Sequence, residues 1–296
     1  MTTSWQPRVW HGRKTLRLGI VAYGTAALTA RELDGIRHPL NDGASPGLGP
    51  RFHRLKPQFL KHSEEQTLAA LAATSAAFDR FDLTDNFGPW AIVSSTRYLA
   101  RDAFAAVIDK YRVDGPWGVS VQTIPHGSPH AVASTLSLAL GIHGPCIGVG
   151  AAAGDEPQAL LSAASLLRDP KRPGAWLVFT AWSPESPPNA GGSSMTQATC
   201  LAAALAVVNL TYSQARVIGE VEFSIGECDE ALPRRVDDCR SPVLGLTEFL
   251  VGWHNDQRRW QGRAGAEMQI ALDRPSVDEP IAARAGSPAD QRRRAA

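Results

Sequence analysis

Residues 144 to 169, GPCIGVGAAAGDEPQALLSAASLLRD, constrain the fold more than any other stretch of the chain. A Gly-Pro turn leads into a short apolar run (Cys146, Ile147, Val149), small residues follow from Gly150 to Gly154, and the remainder favours helix. Asp155 is placed to cap the free N–H groups of a first helical turn. Glu156 adds charge that suits the helix dipole, and Pro157 stands where its missing donor is not needed. From Ala159 to Leu167 nearly every residue is Ala, Ser or Leu, which predicts a helix with no polar face, buried on all sides. The stretch reads as a strand, a tight elbow and a buried helix, a common setting for a nucleophile.

The rest of the chain supplies alternating strands and helices around that unit. LRLGIVAY, residues 16–23, reads as the first core strand. Its basic lead and later Ala-x-Ala-like spacing resemble a signal peptide, but Gly19, Tyr23 and Gly24 interrupt the apolar run and a long polar lead precedes it. Residues 35–60, rich in Gly, Pro and polar side chains, predict a long surface loop. Ser63 and Gln66 have the spacing of a capping box for a helix over 63–79, whose apolar face is Leu68, Leu71, Ala72, Ser75 and Phe78. Residues 89–96 predict a strand, and Arg101 to Tyr111 a helix burying Phe104, Val107 and Ile108. AWLVFTAW, residues 175–182, is apolar on both faces, as a strand covered by helices on both sides should be. Residues 198–208 are ambiguous between strand and helix, 215–225 alternate as a strand, 241–254 predict a helix and 266–272 a last strand. Strands and helices in alternation predict an α/β layered domain over 16–273, with a lead over 1–15 and a disordered tail over 274–296.

Composition narrows the function classes. Thirty basic and 29 acidic side chains nearly cancel, which gives no footprint for a nucleic-acid partner. No apolar run approaches the roughly 18 residues that span a membrane. Cys146, Cys200, Cys228 and Cys239 form no C-x-x-C pair and no Cys/His grouping of zinc-site type, so no metal is expected. Two of them lie in apolar stretches and read as inert core residues, and a reducing cytoplasm is the simplest setting. GVG and GLG lack the context of a dinucleotide or phosphate loop, and no cofactor is expected.

The stretch from Gly144 onward resembles the nucleophile elbow of the β-ketoacyl synthases, in the thiolase-like superfamily: Gly-Pro, an apolar strand, Thr-Ala-Cys, small residues, then a helix rich in Ala and Leu. Upstream, VSVQTIPHGSPHAVASTLSLALGIHGP, residues 119–145, is similar to the family's short extended segment with a proline, here Pro125, before a helix that ends in a Gly-x-x-Gly-Pro turn. The resemblance implies a thiolase-like layered α/β fold, as a single N-terminal-type half with a short C-terminal addition. It places Ala153 where the family has its acyl-accepting cysteine, with Ala152, Gly154 and Asp155 around it as elbow and pocket candidates. The family's two catalytic histidines lie downstream in motifs that this chain lacks. The only histidine after Ala153 is His254, in VGWHNDQRR, which matches neither and reads as a surface residue.

Condensation needs a thiolate to hold the acyl chain and donors to stabilise developing charge. With alanine at 153 and no matching histidines, the resemblance implies a catalytically degenerate subunit. Carboxylates just past the elbow would also oppose an oxyanion at the helix N-terminus. The implied role is a non-catalytic partner of a full-length ketosynthase, of the chain-length-factor type, in fatty-acid-like, polyketide or aryl polyene biosynthesis, with an acyl carrier protein as a further contact. The implied state is a heterodimer or a homodimer; the interface candidates are Gln122, Pro125, His126 and His130. Two other readings stay open: an enzyme acting on acyl thioesters by transfer or hydrolysis through a non-standard mechanism, and a homodimeric acyl-binding or scaffold protein. His126 and His130 read more simply as a turn residue and a helix-start residue than as ligand or partner contacts, Cys146 as an inert packed thiol rather than a relocated nucleophile, and Asp155 and Glu156 as capping groups rather than a catalytic pair.

Overall fold

The computed structural model describes residues 14–38, 48–49, 52, 55–81, 83, 86–121, 123–152, 154–185, 198–211, 213, 215–225, 245–252, 259–264 and 268–273. Among the described residues eight strands form one sheet: β1 (Lys14–Thr29), β2 (Ala91–Arg97), β3 (Cys146–Ala151), β4 (Ala175–Ser183), β5 (Thr199–Asn209), β6 (Gly219–Ile225), β7 (Arg259–Ala264) and β8 (Met268–Asp273). Their order is β3-β2-β4-β5-β1-β6-β8-β7. β2 pairs in parallel with β3 and β4, whereas every other pairing is antiparallel. One end of the sheet is therefore built as an α/β unit and the other as a meander.

Helices cover both faces, as the apolar β4 run requires. On one face, α3 (Glu65–Arg80) and α6 (His130–Leu140) pack over Ile92, Trp176, Val178 and the even positions of β5. On the other, α7 (Pro157–Leu166) and α8 (Leu246–Val251) pack over Val93, Leu177, Phe179 and the odd positions of β5. Residues Ala175–Ala181 are all buried. Residues 198–208, readable as either helix or strand, are settled as β5 between β4 and β1, where a continuous apolar run meets helices on both sides. β1 runs well beyond the 16–23 expected, and a bulge between Ile20 and Ala22 shifts its parity. Leu18 and Ile20 thus face α7 and α8, while Ala22 faces α3.

α3 differs from its sequence expectation in cap and in burial. Glu64, not Ser63, is its N-cap and accepts from the Gln66 N–H, while Ser63 Oγ donates to the Phe59 carbonyl. Instead of one buried face it buries every residue from Gln66 to Ser75, because the sheet lies under it while α1 (Ala30–Arg37) and α6 flank it. A capping box is present at Thr29 and Glu32, opening α1 inside what reads as the approach to a loop. α2 (Pro57–Lys61) and the buried Phe52, Leu55 and Leu60 likewise correct the surface-loop expectation for 35–60.

Three further expectations are corrected. α4 (Arg101–Asp114) leaves Ile108 exposed and only half-buries Phe104 and Val107, because it lies outside the sheet layers. Pro125 falls in a short helix, α5 (Thr123–Gly127), rather than in an extended segment. α7 exposes Gln158 and Ser165, so it is buried on one side only. The last strand expected at 266–272 is present as β8, and β7, which the sequence did not announce, pairs with it as a hairpin. The expected helix at 241–254 is α8 where it is described, and 1–13 and 274–296 lie outside the described residues. No helix among the described residues is long and apolar enough to cross a membrane.

β1 passes close under α3 at Gly24, where an added Cβ would lie 2.2 Å from the Ala73 carbonyl and 2.4 Å from the Ala77 nitrogen. Backbone atoms cannot move aside as a side-chain tip can. Gly24→Ala is therefore expected to cost about 3 kcal/mol, the upper part of the overpacking range, read as a lower midpoint in urea unfolding.

Candidate functional site

Because β2, β3 and β4 are parallel, their carboxyl ends gather on one edge of the sheet, the place where open α/β sheets commonly hold ligands. β2 ends at Arg97, whose side chain is only 6% exposed. Three carboxylates converge on it. Glu248 at the start of α8 accepts two bonds from the guanidinium, one of them Nη1 to Oε2 at 3.2 Å. Glu185, after β4, accepts from Nε at 3.3 Å, and Glu156, at the start of α7, has Oε1 3.6 Å from Nη1. The Trp182 carbonyl completes the set. Behind Arg97, its own carbonyl accepts from Gln66 Nε2, and the Gln66 Oε1 accepts from Thr180, so α3, β2 and β4 are locked together.

One buried cation facing three carboxylates is an unbalanced arrangement. Burial pushes the pKa of Glu156 up, with Arg97 partly offsetting it, and does the same to Glu185. Arg97 loses hydration too, but Glu248 above all, then Glu156 and Glu185, more than compensate and raise its pKa. Glu156 Oε1 has no hydrogen-bond partner, and the hydroxyls of Ser95, on β2, and Thr247, on α8, are also buried without one.

The elbow is organised by the same carboxylates. Asp155 does not cap α7; its Oδ2 accepts from the Ala152 N–H at 3.0 Å. Glu156 Oε2 accepts from the Gly154 N–H at 2.9 Å, at a glycine whose φ of +90° few other residues would adopt. The backbone donors at Ala152 and Gly154 are thus already filled from within the chain. Ala153 lies outside the described residues.

The turn after β2 is strained, with Tyr98 and Ala100 both at positive φ. Glu64 braces it from the α3 side by accepting backbone bonds from Ala100, Gln66 and Thr67. Burial, with Glu65 beside it, nonetheless pushes the Glu64 pKa up to about 8.

The other sequence candidates do not assemble with the elbow into one constellation. His126, half-buried on α5, lies against Phe59 and His62, whereas His130 is exposed at the first residue of α6. Pro125 is exposed, and Gln122 and His254 lie outside the described residues. Cys146 begins an edge strand rather than a core strand and is half-buried; burial raises its pKa, which opposes a thiolate nucleophile. Cys200 is buried, and Cys228 and Cys239 fall outside the described residues. Among the described residues no group of three or more His, Cys, Asp or Glu is placed to hold a metal ion. Sequence reasoning missed Arg97, Glu185 and Glu248. A single cue existed for one of them, an arginine closing the otherwise uncharged strand AIVSST.

Arg97→Met should cost about 3–5 kcal/mol of unfolding free energy, because it strands three carboxylates, measured by urea denaturation. Glu64 gives a pH signature. A carboxyl whose folded pKa is raised binds its proton more tightly in the folded chain, so its contribution is complete below about 4.5 and is lost as pH climbs towards about 8. Glu64→Gln should flatten the decline of stability across that window; an unchanged slope would show that Glu64 titrates normally.

No protein-family model matches the chain, and no curated protein does. Solved structures do. A chain of the ketosynthase ApeO in complex with its chain length factor ApeC, from Xenorhabdus doucetiae, is similar at 14% identity, covering 88% of this chain and 100% of that one, with a TM-score of 0.50. The ishigamide ketosynthase/chain length factor aligns at 14% identity over 70% of this chain and 67% of its own, with a TM-score of 0.47. A ketosynthase from module 6 of the bacillaene synthase of Bacillus subtilis 168 aligns at 16% identity over 69% and 40%, with a TM-score of 0.43. At such identities the likeness is one of fold: this chain has the thiolase-like layered α/β fold seen in the ketosynthase and chain length factor complex from X. doucetiae.

Proposed function

We propose that this chain is a non-catalytic ketosynthase-like subunit that pairs with an active ketosynthase in fatty-acid-like, polyketide or aryl polyene biosynthesis. The observation that carries this is the filled elbow. Alanine stands at 153, and the flanking N–H groups of Ala152 and Gly154 are bound by the carboxylates of Asp155 and Glu156. A nucleophile's surroundings must favour a developing anion, whereas these are already negative. Glu156 cannot swing aside cheaply, since it is buried and tied to Arg97.

A subunit without chemistry acts through contact, and two surfaces suit that role. β3 is an edge strand, half-buried along Cys146–Val149, with an unpaired backbone side. On the lobe of α4, α5 and the turn between them, Trp117 is 97% exposed, and Tyr111, Val113, Val121 and Ile124 also face solvent. Large apolar groups gathered in this way are typical of association surfaces. Structurally similar proteins solved with a partner include ApeO with its chain length factor ApeC, and a type II polyketide ketosynthase with its acyl-carrier protein. In the same manner, a ketosynthase and, at a second contact, an acyl carrier protein are the partners proposed for this chain.

The test is co-expression with the ketosynthase encoded nearest to this chain, followed by size-exclusion chromatography with light scattering. A one-to-one complex without thioester turnover by this chain alone is expected. Trp117→Asp, which removes an exposed side chain and leaves the core intact, should weaken the complex at least about tenfold. A homodimer that excludes the ketosynthase would overturn the pairing, and turnover of acyl thioesters by the isolated chain would overturn the non-catalytic assignment.

A further inference from the structure

A cavity of about 330 Å³ lies between the end of α1, the start of α3, α4 and α5, away from the Arg97 network and the elbow. Its volume is at the lower end of small-molecule sites, roughly 300–1,000 Å³. Its lining brings together the adjacent carboxyls of Glu64 and Glu65, the rings of His62 and His126, and the apolar side chains of Ala103 and Val107.

The charges in this cavity are unequally partnered. Arg37 turns its guanidinium to Asp34 at 3.9 Å, to Glu65 at 3.8 Å and to the Ser63 carbonyl at 3.4 Å. Glu64 makes no ion pair among the described residues; its bonds are to backbone N–H groups. Two lining rings are packed together and backed by a third: His126 lies 6.3 Å from His62 and 6.2 Å from Phe59, centroid to centroid. A carboxyl lacking a cation, a second carboxylate beside it, lining rings and apolar side chains form a complementary setting for a positively charged, partly apolar guest.

We propose that this cavity binds a small amphipathic organic cation, a primary alkylammonium whose head meets Glu64 and Glu65 beside His62 and His126 and whose tail lies on Ala103 and Val107. The site is independent of the pairing proposed above. It carries its own signature in protons. Glu64 titrates at about 8, so at neutral pH it is mostly protonated, and an incoming ammonium draws out its ionised form and releases a proton. The other groups facing it, Arg37, His62, Glu65 and His126, set the background against which that proton is counted.

The experiment is isothermal calorimetry on the full chain at pH 7 with n-hexylammonium and, separately, hexanoate, each in two buffers of different ionisation heat. Hexylammonium should bind with net proton release and hexanoate should not bind. Ala103→Phe, at an exposed position whose larger ring fills the cavity, should weaken hexylammonium at least about tenfold while leaving Glu64 and the fold intact by circular dichroism. Glu64→Gln should abolish the proton release. Preferential binding of hexanoate, no binding of either probe, or hexylammonium binding unchanged by both substitutions would overturn the proposal.

Discussion

A guanidinium buried at the end of β2 holds the functional end of this fold together. Arg97 is reached by Glu156 from α7, Glu185 from the segment after β4 and Glu248 from α8, so four separate pieces of chain meet at one charge. Arginine suits the place because its planar fork can serve several carboxylates at once and stays charged when desolvated. Taking these groups out of water is costly, and the mutual attraction offsets that cost only while every partner is present. α8 has six residues and no side-chain cap, too short to hold itself, and the Glu248 pair with Phe249 and Leu250 in the core fixes where it sits.

The elbow inherits its character from that network. Glu156 divides its carboxylate between Arg97 and the Gly154 N–H, and Asp155 turns back on the Ala152 N–H. Helix N-termini attract anions through free donors and the local dipole. Here the chain satisfies its own donors, and α7 starts with Pro157 at the position where a proline removes one more. The acidic pair that reads as helix capping in the sequence is thus directed at the elbow instead of the helix.

Much of the layered fold was legible because it rests on local periodicity. The all-apolar β4 run announces a strand covered on both faces, and the Gly-Pro turn, strand and Ala-rich segment from Gly144 onward give β3 and α7 within a residue or two. What escaped was set by distant neighbours. Ser63 and Gln66 have the right spacing for a capping box, yet Glu64 takes the cap while the real box sits at Thr29 and Glu32. α3 shows an amphipathic pattern but is enclosed on every side, its small residues admitting β1 at Gly24. The Arg97 cluster was illegible because its members lie as much as 151 positions apart, and only the topology of parallel strands brings them together.

Under the proposed reading, the same topology links the alanine at 153 to the buried carboxylates beside it. A thiolate at an elbow depends on nearby positive potential, from helix donors or a cation, to hold its pKa down. In this chain the nearby cation, Arg97, is already matched to three carboxylates, and the elbow donors of Ala152 and Gly154 are taken. Under that reading, a cysteine placed at 153, between two residues whose N–H groups are already bound by carboxylates, would be held as a thiol. Under the reading proposed here, the alanine is therefore one part of a wider electrostatic change: the end of the sheet that in an active enzyme must welcome charge has been closed by the chain's own acids, leaving β3 and the α4–α5 lobe as the surfaces through which the fold can act.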